Sequence, residues 1–429
     1  VILTNGRIID PVNNRDGIGD LLIDGGVIAE VRTGGRLDAR PGETVIDCTG
    51  MVVCPGLIDI HVHLRVPGLE YKEDLRSGLG SAAAGGFTAV ACMPNTTPFI
   101  DNAPVVRDLY AQAATVKGAR LHVIAALAKN MANKELAEMG DLKDAGAVAV
   151  SDDAYAVQDA EFMRRAMEYS HMLGLAVLAH CEDASLTEGG AMSEGYVSSV
   201  LGIRGMPREA YEIDVARNIM LSLLTGCHLH VLHVSTAREV ELIRWAKAQG
   251  ANVTAETAPH YWRLTDEACR GYDTNAKMNP PLRTQADGEA MIAGLADGTL
   301  DCIATDHAPH ATYEKQVEFA SAPFGIVGLE TSLALGITDL VKPGHLSLSD
   351  LVLRMSTRPA QILGLPGGHL SVGAPADITV FDPDVAWTVE PKNFVSKGRN
   401  TPFGGITLTG KAVRTIVGGK TVYEGSAAQ

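Results

Sequence analysis

His61-Val62-His63 follows directly on an apolar run, Leu57-Ile58-Asp59-Ile60. Residues two apart on a strand share a face, so both imidazoles point the same way. Two imidazoles on one face are natural ligands for zinc. Alone, a His-x-His pair is more often an ordinary exposed or hydrogen-bonded pair. Here His180, His233 and Asp306 stand at the ends of other apolar runs and supply further donors. Such a set suits a zinc ion that lowers the pKa of water to about 7 and so provides a nucleophile at neutral pH. The chemistry implied is metal-assisted hydrolysis.

The remaining histidines have plainer readings. His122, His171, His228, His345 and His369 lack such context and read as packing or surface residues. His230 precedes His233 by three positions, so strand alternation turns it toward an outer helical layer. His260 and His307 lie near the candidate ligands without being expected among them.

Eight apolar runs of strand length must carry these side chains: 57–60, 87–92, 121–125, 147–150, 175–178, 229–232, 253–255 and 302–304. Longer segments of helical composition separate them, among them 134–139 and 239–248. Strands alternating with helices imply a parallel sheet, and eight units predict an α/β fold, a (β/α)8 TIM-type barrel over 55–365. In such a barrel the strand C-termini converge on one face. The runs end in His61 and His63, Asn95, the pair Asp152-Asp153, His180, His233, and Asp306-His307. Chance does not readily put such residues on so many strand ends.

The two ends of the chain read differently. Leu21-Leu22-Ile23 and Val27-Ile28-Ala29 flank Asp24-Gly25-Gly26, a hairpin pattern. Residues 378–381, 406–408, 415–417 and 421–423 repeat the idiom near the C-terminus. Neither end alone has enough strands to bury a sheet face. Residues 1–54 and 366–429 are therefore expected to build one small β-sandwich domain together.

Composition bounds the rest. The 429 residues are 46% hydrophobic and 20% charged, an ordinary globular mix. The net charge of −15 disfavours nucleic acid or an anionic membrane as partner and means that an anionic substrate needs local cations. No apolar run is long enough to span a bilayer, and the first residues lack the pattern of a signal peptide. Seven scattered cysteines without a C-x-x-C read as buried reduced thiols. A cytoplasmic location is expected.

Pro55-Gly56-Leu57-Ile58-Asp59-Ile60-His61-Val62-His63-Leu64-Arg65 resembles the first-strand motif of the cyclic amidohydrolases. Met93-Pro94-Asn95-Thr96, Met278-Asn279-Pro280-Pro281-Leu282-Arg283 and Ala304-Thr305-Asp306-His307-Ala308-Pro309-His310 are similar to motifs of class I dihydroorotases. The likeness extends to Asn400-Thr401-Pro402-Phe403-Gly404-Gly405, so it spans essentially the whole chain. It implies reversible, zinc-dependent hydrolysis of the ring amide of (S)-dihydroorotate to N-carbamoyl-L-aspartate, a step of pyrimidine synthesis. It implies one or two Zn2+ per subunit, one held by His61 and His63 and a second site completed by His180 and His233. Asp153 would bridge them, a choice over Asp152 that rests on the family motif. Asp306 would orient the nucleophile as general base and return the proton to the leaving nitrogen. Arg65, Asn95 and His310 would hold the substrate carboxylate, Asn279 the ring, and the backbone of Phe324 and Gly325 would close over it. A loop over 311–323 is long enough for a lid. The family also implies a homo-oligomer and, in some members, assembly with aspartate transcarbamoylase.

Two features discriminate. Hydantoinases bridge their metals with a carboxylated lysine on the fourth strand, but no lysine occurs here between Lys143 and Lys247. The family usually has an acidic residue after the arginine, whereas this chain has Val66, which puts the orientation of Arg65 in question. The alternatives are another cyclic amidase, such as an allantoinase or dihydropyrimidinase, and an inactive homologue kept as a structural partner of aspartate transcarbamoylase. The second would be expected to have lost metal ligands, and this chain keeps them.

Overall fold

The computed structural model describes residues 1–39 and 42–425, so the last four residues of the expected C-terminal segment lie outside the described residues. Eight parallel strands follow the predicted order: β1 (Leu57–Val62), β2 (Phe87–Cys92), β3 (Arg120–Ala126), β4 (Ala147–Ser151), β5 (Ala176–Ala179), β6 (Leu229–Val231), β7 (Val253–Thr257) and β8 (Cys302–Ile303). Each pairs with the next in sequence, and a parallel bridge from Val62 to His307 joins the first strand to the chain beyond the last. Asp59 fastens that seam, its buried carboxylate accepting from the backbone N–H groups of His61 and Thr305. Helices such as Ala160–Leu173, Glu209–Thr225, Ala237–Ala248 and Gln285–Asp297 cover the outside.

Alternation along the strands divides the apolar residues into two sets. Leu57, Val90, Val123, Val150, Val177, Leu229 and Val231 pack against the helices. Ile58, Ile60, Ala89, Ala91, Ile124, Ala149, Leu178 and Leu232 fill the barrel interior. This is a packed centre and not a pore, as the geometry of an eight-stranded barrel requires.

Three expectations need correction. The helix between β3 and β4 is Met139–Asp144 and not 134–139, because Leu136 bridges to Ala128 and the Ala137 N–H donates to the Leu127 carbonyl. Long-range pairing there overrides helical composition. Runs 406–408 and 415–417 belong to one strand, Thr407–Val417, paired antiparallel with Ile378–Thr388. His230 lies inside the barrel, not toward the helices. The alternation count ran through His233, which lies beyond the end of β6 and has a left-handed backbone (φ 36°), so the parity does not carry across.

Strands from both termini form one eight-stranded mixed sheet. Val52–Pro55 pairs with Ile2–Asp10 on one side and with Ile378–Thr388 on the other, which joins the two ends of the chain. Leu21, Ile28, Val53, Ile378 and Ile416 share its core. The Thr379 hydroxyl donates to the Gly86 carbonyl at 2.5 Å and accepts from the Leu57 N–H, tying this domain to the barrel. All seven cysteines are buried and unpaired. Among the described residues, no helix is long and apolar enough to cross a membrane.

Candidate active site

The strand ends bring His61, His63, Asp153, His180, His233 and Asp306 together, each nearly inaccessible to solvent. Asp153 is at the centre. One carboxylate oxygen lies 3.7 Å from His61 Nε2, 3.5 Å from His180 Nδ1 and 3.6 Å from His233 Nε2, and the other lies 3.5 Å from His63 Nε2. Asp306 Oδ1 faces the first pair, 3.4 Å from His61 Nε2 and 3.0 Å from His63 Nε2. The pair left open in the sequence is thereby distinguished. Asp152 is spent on structure, accepting from the backbone N–H groups of Val157 and His180.

Three of the four imidazoles also present their other nitrogen to a neighbour. His61 Nδ1 lies 2.5 Å from Glu256 Oε1, His63 Nδ1 2.8 Å from Asn95 Oδ1, and His180 Nε2 2.9 Å from Glu182 Oε2. Asn95, expected at the substrate, therefore reaches His63 while still lining the cavity. Asp306 and His233 have left-handed backbones (φ 48° and 36°), as does Arg65 at φ 63°. Non-glycine residues rarely adopt this region, and such strain is kept where the surrounding structure fixes a side chain in place.

The electrostatics are those of a crowded charge cluster. Burial would push His61 down, but Asp306, Glu256 and Asp153 drive it well above its ordinary value. Burial opposes ionisation of Asp153, yet His61, His180 and His233 hold it well below the usual carboxylate range. Asp306 is likewise lowered against burial by His61 and His63. Among the described residues His61 Nε2 has no hydrogen-bond partner, although it is buried and points at both aspartates. Inward-facing nitrogen and oxygen donors with one orphaned lone pair fit a metal ion of borderline softness. Two overlapping groups could hold one: His61, His63 and Asp153, and Asp153, His180 and His233.

A cavity of about 670 Å³ opens beside the cluster, lined by Arg65, Asn95, Asn279, His310, Phe324 and Gly325 among others. Its far end is cationic. Arg65 is buried, donates from Nε to the Pro309 carbonyl at 3.1 Å, and lies 3.4 Å from His310 Nε2. Burial lowers its pKa to about 10, which leaves it charged. Burial, then Arg65 and Lys72, push His310 down to about 2, so it is a neutral ring. Lys72 pairs with Glu314 at 2.9 Å. Val66 is 4% exposed and packs in the barrel-wall core, so an acidic residue is not missing from the cavity at that position.

The loop after β8 packs beside this end, with Glu314 Oε2 3.6 Å from His310 Nδ1. It contains a one-turn helix, Thr312–Lys315, where the sequence suggests an irregular loop. Lys315 Nζ donates to the Thr274 and Pro323 carbonyls, and Lys277 Nζ to those of Phe319 and Ala320. Asn279 is oriented by Tyr211, whose hydroxyl donates to Oδ1 at 2.7 Å, while its own Nδ2 donates to Glu182 at 2.8 Å. At Gly325 the N–H goes to the Lys277 carbonyl, and the carbonyl accepts from Asn400. Only glycine suits its φ of 136°, since a Cβ there would lie 2.8 Å from Ala308 Cβ.

Glu182, Glu256 and Tyr211 were not foreseen. Glu256 has a signal: an acidic residue near the C-terminal end of β7, two positions after Thr254 and so on the same face. The apolar run 253–255 stops two residues short of the strand, which continues to Thr257. Glu182 follows His180 by two and carries no comparable pattern.

Residues 50–239 match the family model described as dihydro-orotase-like, and residues 233–423 match an amidohydrolase family model. The chain is 52% identical over 423 residues to the dihydroorotase of Syntrophotalea carbinolica, with 99% of each covered. It is 51% identical to that of Pelotomaculum thermopropionicum over 425 residues, covering 99% of this chain and 98% of the relative. Among solved structures, the L-hydantoinase of Arthrobacter aurescens superposes with a TM-score of 0.88 at 27% identity, covering 99% of this chain and 96% of its own. The D-hydantoinase of a Thermus species does so at 0.84 and 26%, covering 98% and 94%. The barrel is thus shared across cyclic amidases, while identity over the full length selects one branch: the chain belongs to the dihydroorotase family.

Proposed function

We propose that this chain opens the ring amide of dihydroorotate reversibly to give N-carbamoyl-aspartate, as a class I enzyme using zinc. The observation that carries the proposal is the position of Asp153, within 3.5 to 3.7 Å of four imidazole nitrogens and beside the Arg65 end of the cavity. His61, His63 and Asp306 would hold one ion, His180 and His233 a second, and Asp153 both. Bound there, the metal would supply Lewis-acid charge that polarises the carbonyl and acidifies water.

The chain's own residues account for the remaining steps. Arg65 binds the substrate carboxylate through a charge-assisted hydrogen bond, with neutral His310 and Asn95 beside it. Asn279 positions the ring. Asp306, ionised at neutral pH, takes a proton on its carboxylate from the attacking water as the new C–O bond forms. It returns that proton to the ring nitrogen as the C–N bond breaks. Phe324, Gly325 and the loop over 311–323 exclude bulk water. Asp153 stands where hydantoinases carry a carboxylated lysine, which supports this substrate over hydantoin. Residues 55–365 form the catalytic unit, with 1–54 and 366–429 as its supporting domain, in a cytoplasmic homo-oligomer that can associate with aspartate transcarbamoylase.

The test is ring opening by zinc-loaded protein on dihydroorotate, hydantoin and allantoin in parallel, with Asp306→Ala as control. Selective turnover of dihydroorotate that the substitution abolishes is expected. Faster turnover of hydantoin, or silence on all three with zinc bound and a transcarbamoylase added, would overturn the reading.

A further inference from the structure

We propose that Glu256 is a positioning residue for His61, anchored by a one-way chain of hydrogen bonds through His230 and Thr254 to His228. The chain would keep the His61 ring protonated at Nδ1, with the Nε2 lone pair facing the metal position. The proposal rests on the metal-dependent reading above but concerns residues to which that reading gives no role.

The chain descends through the barrel interior. Glu256 Oε1 lies 2.5 Å from His61 Nδ1, and its other oxygen lies 3.2 Å from His230 Nε2. The far nitrogen of His230, Nδ1, lies 2.8 Å from the Thr254 hydroxyl, which lies 2.8 Å from His228 Nε2. His61, Glu256 and His230 are at most 1% exposed, whereas half-buried His228 lines a separate cavity with His171 and Gln361. Glu256 also accepts from the backbone N–H of His233 at 3.4 Å, so it touches two of the candidate ligand residues.

Hydrogen-bond logic fixes the direction. An ionised carboxylate only accepts, so both imidazoles must donate to it: Nδ1–H from His61 and Nε2–H from His230. With one proton per ring, His230 Nδ1 must then accept. A threonine hydroxyl has one hydrogen, so Thr254 donates it to His230 and accepts from His228 Nε2–H. Donors converge on Glu256 from both sides, and the tautomer of His61 follows. That tautomer leaves the lone pair on Nε2, the atom without a hydrogen-bond partner among the described residues. Cys302 lies close enough to His230 and Glu256 to complete a third ligand-like group, but hydrogen bonds already satisfy the other two members.

Carboxylate partners of ligating histidines typically contribute roughly 10- to 100-fold in metal affinity. Glu256→Gln keeps the shape but offers one acceptor where two donors arrive, so one ring must turn over. Competition with a chelator, using Zn2+ alone as probe, should show a loss of about 10- to 100-fold with the thermal transition retained. Thr254→Val should weaken binding by less, and Thr254→Ser should restore it by returning the hydroxyl. Affinity within twofold of the parent for Glu256→Gln would overturn the proposal. If that variant does not fold, the unsubstituted zinc-loaded protein still decides. Long-range proton–nitrogen spectra of the histidine-labelled, zinc-loaded protein should show His61 protonated at Nδ1, and an Nδ1 without its proton would refute the chain. A parent that binds zinc in this way but opens no dihydroorotate ring would remove the functional reading and leave Glu256 in its role.

Discussion

The histidine–aspartate cluster and the cationic end of the cavity are held by different means. The cluster sits on or just beyond the ends of strands, and three of its imidazoles are fixed by Glu256, Asn95 and Glu182. Arg65, Lys72, His310 and Lys315 come instead from loops, and their contacts are to backbone carbonyls, to one another and to Glu314. The difference matches the tasks. Reacting atoms need placement to a fraction of an ångström, which rigid elements provide, whereas a substrate carboxylate needs charge and a closing loop. Changes in the first region should therefore appear in kcat and metal content, and changes in the second in KM and lid protection.

Chelation is expected to have the largest effect, abolishing ring opening while far-UV circular dichroism is unchanged, with Zn2+ restoring activity. Unfolding on metal removal would instead make the cluster a structural centre. Next comes Asp306→Asn, for which a loss of about 10²- to 10⁴-fold in kcat with little change in KM is expected from removal of a general acid–base. An equal loss carried wholly by KM would move Asp306 to the binding side of the comparison. For Arg65→Met, loss of a hydrogen bond to a charged group, about 1.5–3 kcal/mol, corresponds to a KM roughly 10- to 100-fold higher with zinc content unchanged. Depleted zinc in that variant would show that the two ends are not separable.

The smallest effect concerns the lid. Burial, with Lys277 nearby, lowers Lys315 to about 7 from an ordinary 10.5. Within that window the folded state binds fewer protons than the unfolded state, so protection of the lid should rise with pH from about 7 and be least below it. The neutral amine still has hydrogens for both carbonyls it meets. Hydrogen exchange over 312–323, corrected for intrinsic rates, should show a few-fold gain that Lys315→Met removes. A profile that falls with pH would mean that the lysine is bound as a cation.

Much of the cluster was legible because strand period and strand ends are local properties. His61 and His63 share a face by alternation, and apolar runs that stop at polar residues mark where a barrel opens. Where local regularity ended, the reading failed. His230 was turned outward because the count crossed the left-handed His233. The helix expected over 134–139 yielded to the pairing of Leu136 with Ala128. Val66, which the sequence sets beside Arg65 in place of an acidic residue, packs among core residues, an environment that only the fold reveals.

The sequence by itself determined the alternating plan, the ligand types, the absence of a bridging lysine and, through its motifs, the family. Tertiary structure decided which aspartate is central, what steadies each imidazole, and how lysines distant in sequence close the loop over the cavity. The physical reason is range. Periodicity and residue chemistry act over a few neighbours, whereas the partners of Asp153, Glu256 and Lys315 come from elements brought within about 4 Å only when the barrel closes.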